Sequence, residues 1–195
     1  TADNDSLDAT VGKVGSTTLY WTAERGFWDL SEWESNGVNL NVDKPAGSAL
    51  VVDSNHFYNG DKVVFNQGGE VYLDVEVTPS EVLIGGDKQL MLLGNGGIVG
   101  NTQLVKSGKG DAVISTANSY TGGTVLKEGT IYAFNDDALG TGAISCSGNV
   151  GISVGSDNKL NLYSSIQNSG ALVLYGAFDV SSLEATQHNM SVDAE

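Results

Sequence analysis

Cysteine is nearly absent: Cys146 is the single one in 195 residues. That excludes an intrachain disulfide and any cysteine-based zinc site. Histidine is scarce as well, and His56 and His188 have no His or Cys partner at metal-ligand spacing. No stretch of 18 apolar residues occurs, so nothing in the chain crosses a bilayer as a helix. Basic residues are few, with Lys plus Arg at 9 against Asp plus Glu at 24, a formal net charge of −15. A field of that sign repels nucleic acid and anionic membrane surfaces, so neither is an expected partner. The first residues, Thr1-Ala2-Asp3-Asn4-Asp5-Ser6, are polar, where an export signal would show a basic segment followed by an apolar run; any such signal is expected to have been removed.

What the chain does have is glycine and alternation. Gly accounts for 26 residues, about twice the usual ~7% share, and it falls in no every-third-residue pattern of the collagen kind. Period-2 patterns mark strands over 62–65, 70–77, 81–84, 89–93, 111–115, 124–126, 130–134, 159–163 and 171–175. β-branched and aromatic residues fill these segments, and Gly-Gly, Asn-Gly and Gly-Lys-Gly turns separate them. Helix signals are confined to a partial stripe over 24–34 and a capping-box pattern at Ser181-Ser182-Leu183-Glu184. A unit of glycine, one residue, then alternating apolar residues recurs at Gly69, Gly110, Gly129 and, less strictly, Gly170. Each unit has one apolar face that it cannot bury alone, and stacking successive coils would bury those faces continuously. The expected class is all-β, a parallel β-solenoid; an antiparallel β-sandwich shares the local signals and is the alternative.

Residues 104–142 are more specific. Lys106, Gly108 and Gly110 precede an apolar alternation; Asn118 and Tyr120-Thr121-Gly122-Gly123-Thr124 follow, then Gly129 and Ala138-Leu139-Gly140-Thr141-Gly142. This order resembles the autotransporter-associated β-strand repeat of bacterial surface-protein passenger regions. Upstream, Leu19-Tyr20-Trp21, Gly26-Phe27-Trp28-Asp29 and Trp33 resemble the leader such proteins carry, and Gly60-Asp61-Lys62-Val63-Val64-Phe65 resembles its sequel. The resemblance implies a right-handed parallel β-helix displayed outside a Gram-negative cell. The chain then divides into a flexible acidic N-terminus (1–15), an aromatic-rich cap region (16–60), a solenoid (61–180, including the repeat at 104–142) and a C-terminal tail or short helix (181–195).

Candidate sites carry two readings each. Tyr20, Trp21, Phe27, Trp28 and Trp33 are crowded into 14 residues. Their rings either cover the open first coil, which would otherwise invite edge pairing, or form a sugar-stacking platform in which Trp21, Trp28 and Trp33 bind the ligand. Asp3, Asn4, Asp5 and Asp8 offer calcium-type oxygens but lack the spacing of a calcium loop, so no metal and no cofactor is expected. Val51-Val52-Asp53-Ser54-Asn55 resembles an aspartic-peptidase loop with Asn in place of the required Gly, and Phe178-Asp179-Val180-Ser181 is the nearest second loop. Asp53 and Asp179 are therefore the catalytic residues of an alternative reading, in which two carboxylates share a proton and activate water. Cys146 sits in an alternating stretch and reads as a small strand residue. Tyr120 is expected to cover an inner turn with its hydroxyl in water.

The favoured expectation is a passive extracellular module, scaffold or adhesin-like, that meets a host or matrix glycoprotein, a glycan, or a neighbouring surface protein. The alternative is a secreted Asp-dependent hydrolase acting on glycoproteins such as mucin.

Overall fold

The computed structural model describes residues 18–28 and 57–181, together with the backbone of 41–42. The segments 1–15 and 182–195, most of the 24–34 stripe, and Trp33 and Asp53 lie outside the described residues. Every regular element described is a strand.

The elements are read most simply level by level. The first level is β1 (Thr18–Trp21) and β2 (Arg25–Phe27), and β3 (Asn41–Val42) lies beside β1. The second level is β4 (Lys62–Phe65), β5 (Gly69–Tyr72) and β6 (Glu76–Val77); the third is β7 (Glu81–Ile84), β8 (Leu90–Leu93) and β9 (Gly97–Ile98). Next come β10 (Gln103–Lys106) with β11 (Ala112–Ile114), and then β12 (Thr124–Ala133) alone. The sixth level is β13 (Ile144–Val154) with β14 (Lys159–Asn161). The seventh is β15 (Ile166–Asn168), β16 (Ala171–Tyr175) and β17 (Ala177–Asp179).

Each strand pairs in parallel with its counterpart one level on. Leu19, Val63, Val82, Leu104, Thr124, Ile144 and Ile166 share one register. From Val63 onward the steps are 19, 22, 20, 20 and 22 residues, so each turn consumes a nearly constant length of chain. Seven levels make about six turns of a parallel β-solenoid. The antiparallel sandwich is excluded, because the β1–β3 ladder is the one antiparallel pairing among the described residues. Strands β1 and β2 lie within the aromatic-rich 16–60 segment, yet they pair with β4 and β5 as the first level of the column.

Three faces result. The first sheet stacks β1, β4, β7, β10, the start of β12, the start of β13, and β15. The second stacks β2, β5, β8, β11, the ends of β12 and β13, and β16. Short ladders β6–β9 and β14–β17 form the third. Alternation sends every second side chain inward, and these pile into shared columns. In the first sheet Trp21, Phe65, Ile84, Lys106, Leu126 and Cys146 are in line; in the second, Leu90, Ala112, Ile131, Ile152 and Leu174. Every residue in these two columns is buried. Burying one large apolar side chain contributes roughly 1.5–3 kcal/mol, and here each level supplies several. Aromatic rings fill the column at its first levels: Trp28 meets Phe57 edge-on at 5.4 Å and Phe65 at 5.6 Å, and Trp21 lies 5.7 Å from Phe65.

Some strand limits differ from the sequence-based expectation. The alternation over 70–77 is broken into β5 and β6 by a corner at Leu73-Asp74-Val75. Leu73 is fully buried there while Asp74 and Val75 face solvent. Conversely, 124–126 and 130–134 join into β12, which runs through its corner with a shift of register between Leu126 and Glu128.

Candidate functional site

The repeat signature residues form the corners of the column. Lys106 occupies an inward position between Ile84 and Leu126 and is 1% exposed. Its stem packs as an apolar residue, while the ammonium reaches the corner and donates to the carbonyl oxygens of Gly108 and, at 3.0 Å, Glu128. Gly129 makes room for it: φ is 82°, and a Cβ built there would stand 2.5 Å from Lys106 Nζ. Lys106, Gly108 and Gly129 are thus one packing unit. Burial lowers the Lys106 pKa below its ordinary value, and the Asp111 and Glu128 carboxylates oppose that shift.

Asn118 substitutes for strand pairing on the third face. Its Oδ1 accepts from the Ile98 N–H at 2.9 Å and from the Thr116 hydroxyl at 3.1 Å, and its Nδ2 donates to the Ala138 carbonyl at 2.7 Å. One amide side chain therefore links three levels. Tyr120 departs from the sequence-based expectation. It is 0% exposed, and its hydroxyl lies 2.7 Å from Thr124 Oγ1, inside the fold rather than in water. Burial pushes that phenol well above the ordinary tyrosine range. Gly140, with φ of 63°, lets the chain pass the ring, since a Cβ there would come within 2.9 Å of it.

The residues singled out from sequence fall as follows. Trp21 and Trp28 are 1% and 0% exposed and lie in the core, so neither presents a ring face to a ligand. Trp21 points inward because it shares the register of Phe65, and its indole N–H donates to the Ala23 carbonyl at 2.8 Å. Trp33 and Asp53 lie outside the described residues. Asp179 ends β17, where it accepts from the Ser181 N–H at 2.9 Å and pairs with Lys159 at 3.0 Å. The Ser181 bonds and the Lys159 ammonium hold its carboxyl down to about 2, which makes it a fixed anion. Nearby, Tyr163 and Asn161 donate to Asp137 Oδ1 at 2.7 and 2.8 Å, and Lys159 N–H donates to Asp136 at 2.8 Å. These carboxylates tie the last levels together. Cys146 is buried, and burial raises its thiol to about 11.

The surface that sequence reasoning missed is the outer side of the second sheet. Outward positions run Arg25, Glu70, Met91, Val113, Tyr132, Ser153 and Tyr175. The neighbouring line begins Phe27, Tyr72 and Leu93 and continues with Ser115, Phe134 and Gly155. Phe27, Phe134 and Tyr175 are 43%, 50% and 59% exposed. Arg25 and Glu70 pair at 2.5 Å at one end, and Tyr72 adds its hydroxyl to the same carboxylate at 3.0 Å. From Met91 onward both lines are free of charge. The available signal was the unbroken apolar character of Leu90–Leu93, Ile131–Phe134 and Ala171–Tyr175, which strict alternation does not require.

Residues 104–132 match the family model described as the passenger-associated-transport-repeat. The chain carries an autotransporter passenger repeat. Its matched span takes in β10, β11 and most of β12, including Lys106, Asn118, Tyr120 and Gly129, the residues that build the corners. The chain is also similar to the "Adhesin BmaC autotransporter" of Brucella suis biovar 1 (strain 1330), with 40% identity over 83 residues. That alignment covers 43% of this chain and 2% of the adhesin. No solved structure matches the chain. The passenger repeat is thus one turn of a column whose other turns follow the same register with looser sequence.

Proposed function

We propose that this chain is an adhesin-like module of a passenger region, displayed at or released from the surface of a Gram-negative cell. There it would serve as a rigid scaffold and a binding surface for glycoproteins or glycans. The observation that carries the reading is the in-register column itself, built around a passenger repeat and similar to part of an autotransporter adhesin. Parallel levels joined by tight corners make a stiff body whose side-chain lines project from flat sheets, so contact needs no conformational change. The net charge of −15 keeps such bodies apart from one another and from anionic surfaces.

The test is retention of the purified chain on immobilised mucin against immobilised albumin at physiological salt. Selective, saturable retention on mucin is expected. Equal retention on both proteins, or none on either, contradicts the binding role.

A further inference from the structure

The outer side of the second sheet carries two of its most exposed aromatic residues, Phe134 and Tyr175, towards its far end. Phe134 leans across the level that follows it: a Cβ built on Gly155 would stand 2.7 Å from Phe134 Cδ1 and 3.0 Å from Cε1. Phe134 is nonetheless 50% exposed. One position away, Tyr132, Ser153 and Tyr175 form a single line across three levels. Gly155 leaves the floor beside Phe134 without a side chain of its own, and Asn158 Oδ1 stands 3.1 Å from the same Cβ position. The site therefore offers an exposed aromatic ring seated against a glycine, with three hydroxyl-bearing residues on the neighbouring line and no ionised group on either line.

Two physical arguments choose the occupant. Two strand spacings of about 4.8 Å and one two-residue step of about 6.7 Å give a footprint on the order of 100 Å². A stable protein pair needs roughly 800 Å² from each partner, so the site suits one or two rings of a small ligand. Absence of charge on either line, in a chain carrying −15 overall, favours a neutral ligand over an anion, which meets repulsion; the Asp136 carboxylate beside the site is already held by the Asn158 amide and the Lys159 N–H. A neutral sugar has both the apolar C–H face that stacks on an aromatic ring and the hydroxyls that bond Tyr and Ser.

We propose that Phe134, Tyr132, Ser153 and Tyr175 bind the neutral outer sugars of a glycoprotein. This rests on the glycoprotein-binding reading above and names its site. The test measures binding of the full chain to asialomucin, with free N-acetyllactosamine as competitor and enzymatically deglycosylated mucin as control. Binding that is competed by the sugar, lost on deglycosylation, and weakened at least tenfold by Phe134→Ala supports the site. Gly155→Ala, which pushes the ring off its seat, is expected to weaken binding to a similar degree. Tyr163→Ala on the third face is expected to leave it unchanged. Because Phe134 is half exposed, the Ala variant should keep the wild-type circular dichroism and melting temperature.

Sugar-dependent binding that is indifferent to Phe134→Ala overturns the site but leaves the glycoprotein-binding role standing. Binding that survives deglycosylation overturns the sugar assignment and points to a peptide partner. A concentration-dependent dimer abolished by Phe134→Ala likewise overturns it, making the face an interface between copies. Absence of binding to either mucin overturns both the site and the role.

Discussion

A lysine stays inside an apolar column when its ammonium has somewhere to go, and for Lys106 that place is a pair of corner carbonyls. In Lys106→Met the stem remains but the Gly108 and Glu128 oxygens lose their donor. Leaving buried acceptors unmatched costs about 1–3 kcal/mol, so a lower denaturant midpoint at unchanged slope is expected; an unaltered midpoint would show the ammonium to be dispensable. The pH dependence has a definite sign. The folded-state pKa of Lys106 lies below its ordinary value of 10.5, so between the two the unfolded chain holds more protons. In that alkaline window this residue makes stability rise with pH, and Lys106→Met removes the rise. Asp179 has the same sign in an acid window. Its pKa falls from 3.8 to about 2, so its contribution is present above pH 3.8 and is lost as pH drops through about 2. Carbon-13 titration of this carboxyl should show that low midpoint, and Lys159→Ala should raise it; a midpoint near 3.8 in the native chain contradicts the clamp. At this scale the sequence marks which residues matter but not how. Lys106, Asn118 and Tyr120 are legible as signature positions, yet the inward turn of the Tyr120 hydroxyl depends on Thr124, itself tied to the Leu139 carbonyl, which reaches it only after the corner closes.

Between elements, the third face is the weakest-paired and relies on side chains where strands are short. Asn118 occupies the gap between β9 and the Ala138 corner, so Asn118→Ala should remove about 2 kcal/mol through one unmatched amide and one unmatched carbonyl. Hydrogen exchange locates the loss: the Ile98 amide should exchange faster, while amides of the first and second sheets keep their relative protection. Uniform loss of protection in all three sheets would mean that Asn118 does not act locally. Alternation marks at least one strand at each level from the second to the seventh, but β1, β2, β10 and the long β13 are not among the expected segments. Strand limits are less readable, because an apolar residue at a corner, such as Leu73, serves the core without continuing a ladder. The joining of 124–126 with 130–134 is hidden for the converse reason: Lys127, Glu128 and Gly129 look like a turn, but Glu128 and Gly129 stay paired with the next level across the register shift at Lys127.

At the level of the molecule, stacking makes stability a sum of neighbouring contacts, so the same inward pattern must recur on every turn. That is why the fold class is visible in the sequence even though only residues 104–132 match the repeat model. The outer aromatic lines are not visible there, because a run such as Ile131–Phe134 reveals its outward members only once the register between levels is known. Likewise the platform reading of Trp21 stands open beside the cap reading until Trp21 is seen to share the register of Phe65. The register is the central claim, and paired spin labels test it directly. With Cys146 replaced by Ser, one label stays at Glu70→Cys and the second moves to Tyr132→Cys, Ser153→Cys or Tyr175→Cys, positions three, four and five levels away on one line. At about 4.8 Å per level, backbone separations of about 14, 19 and 24 Å are expected. Equal steps for each 21–22 residues added would establish the column, whereas separations that fail to grow from one level to the next would contradict it.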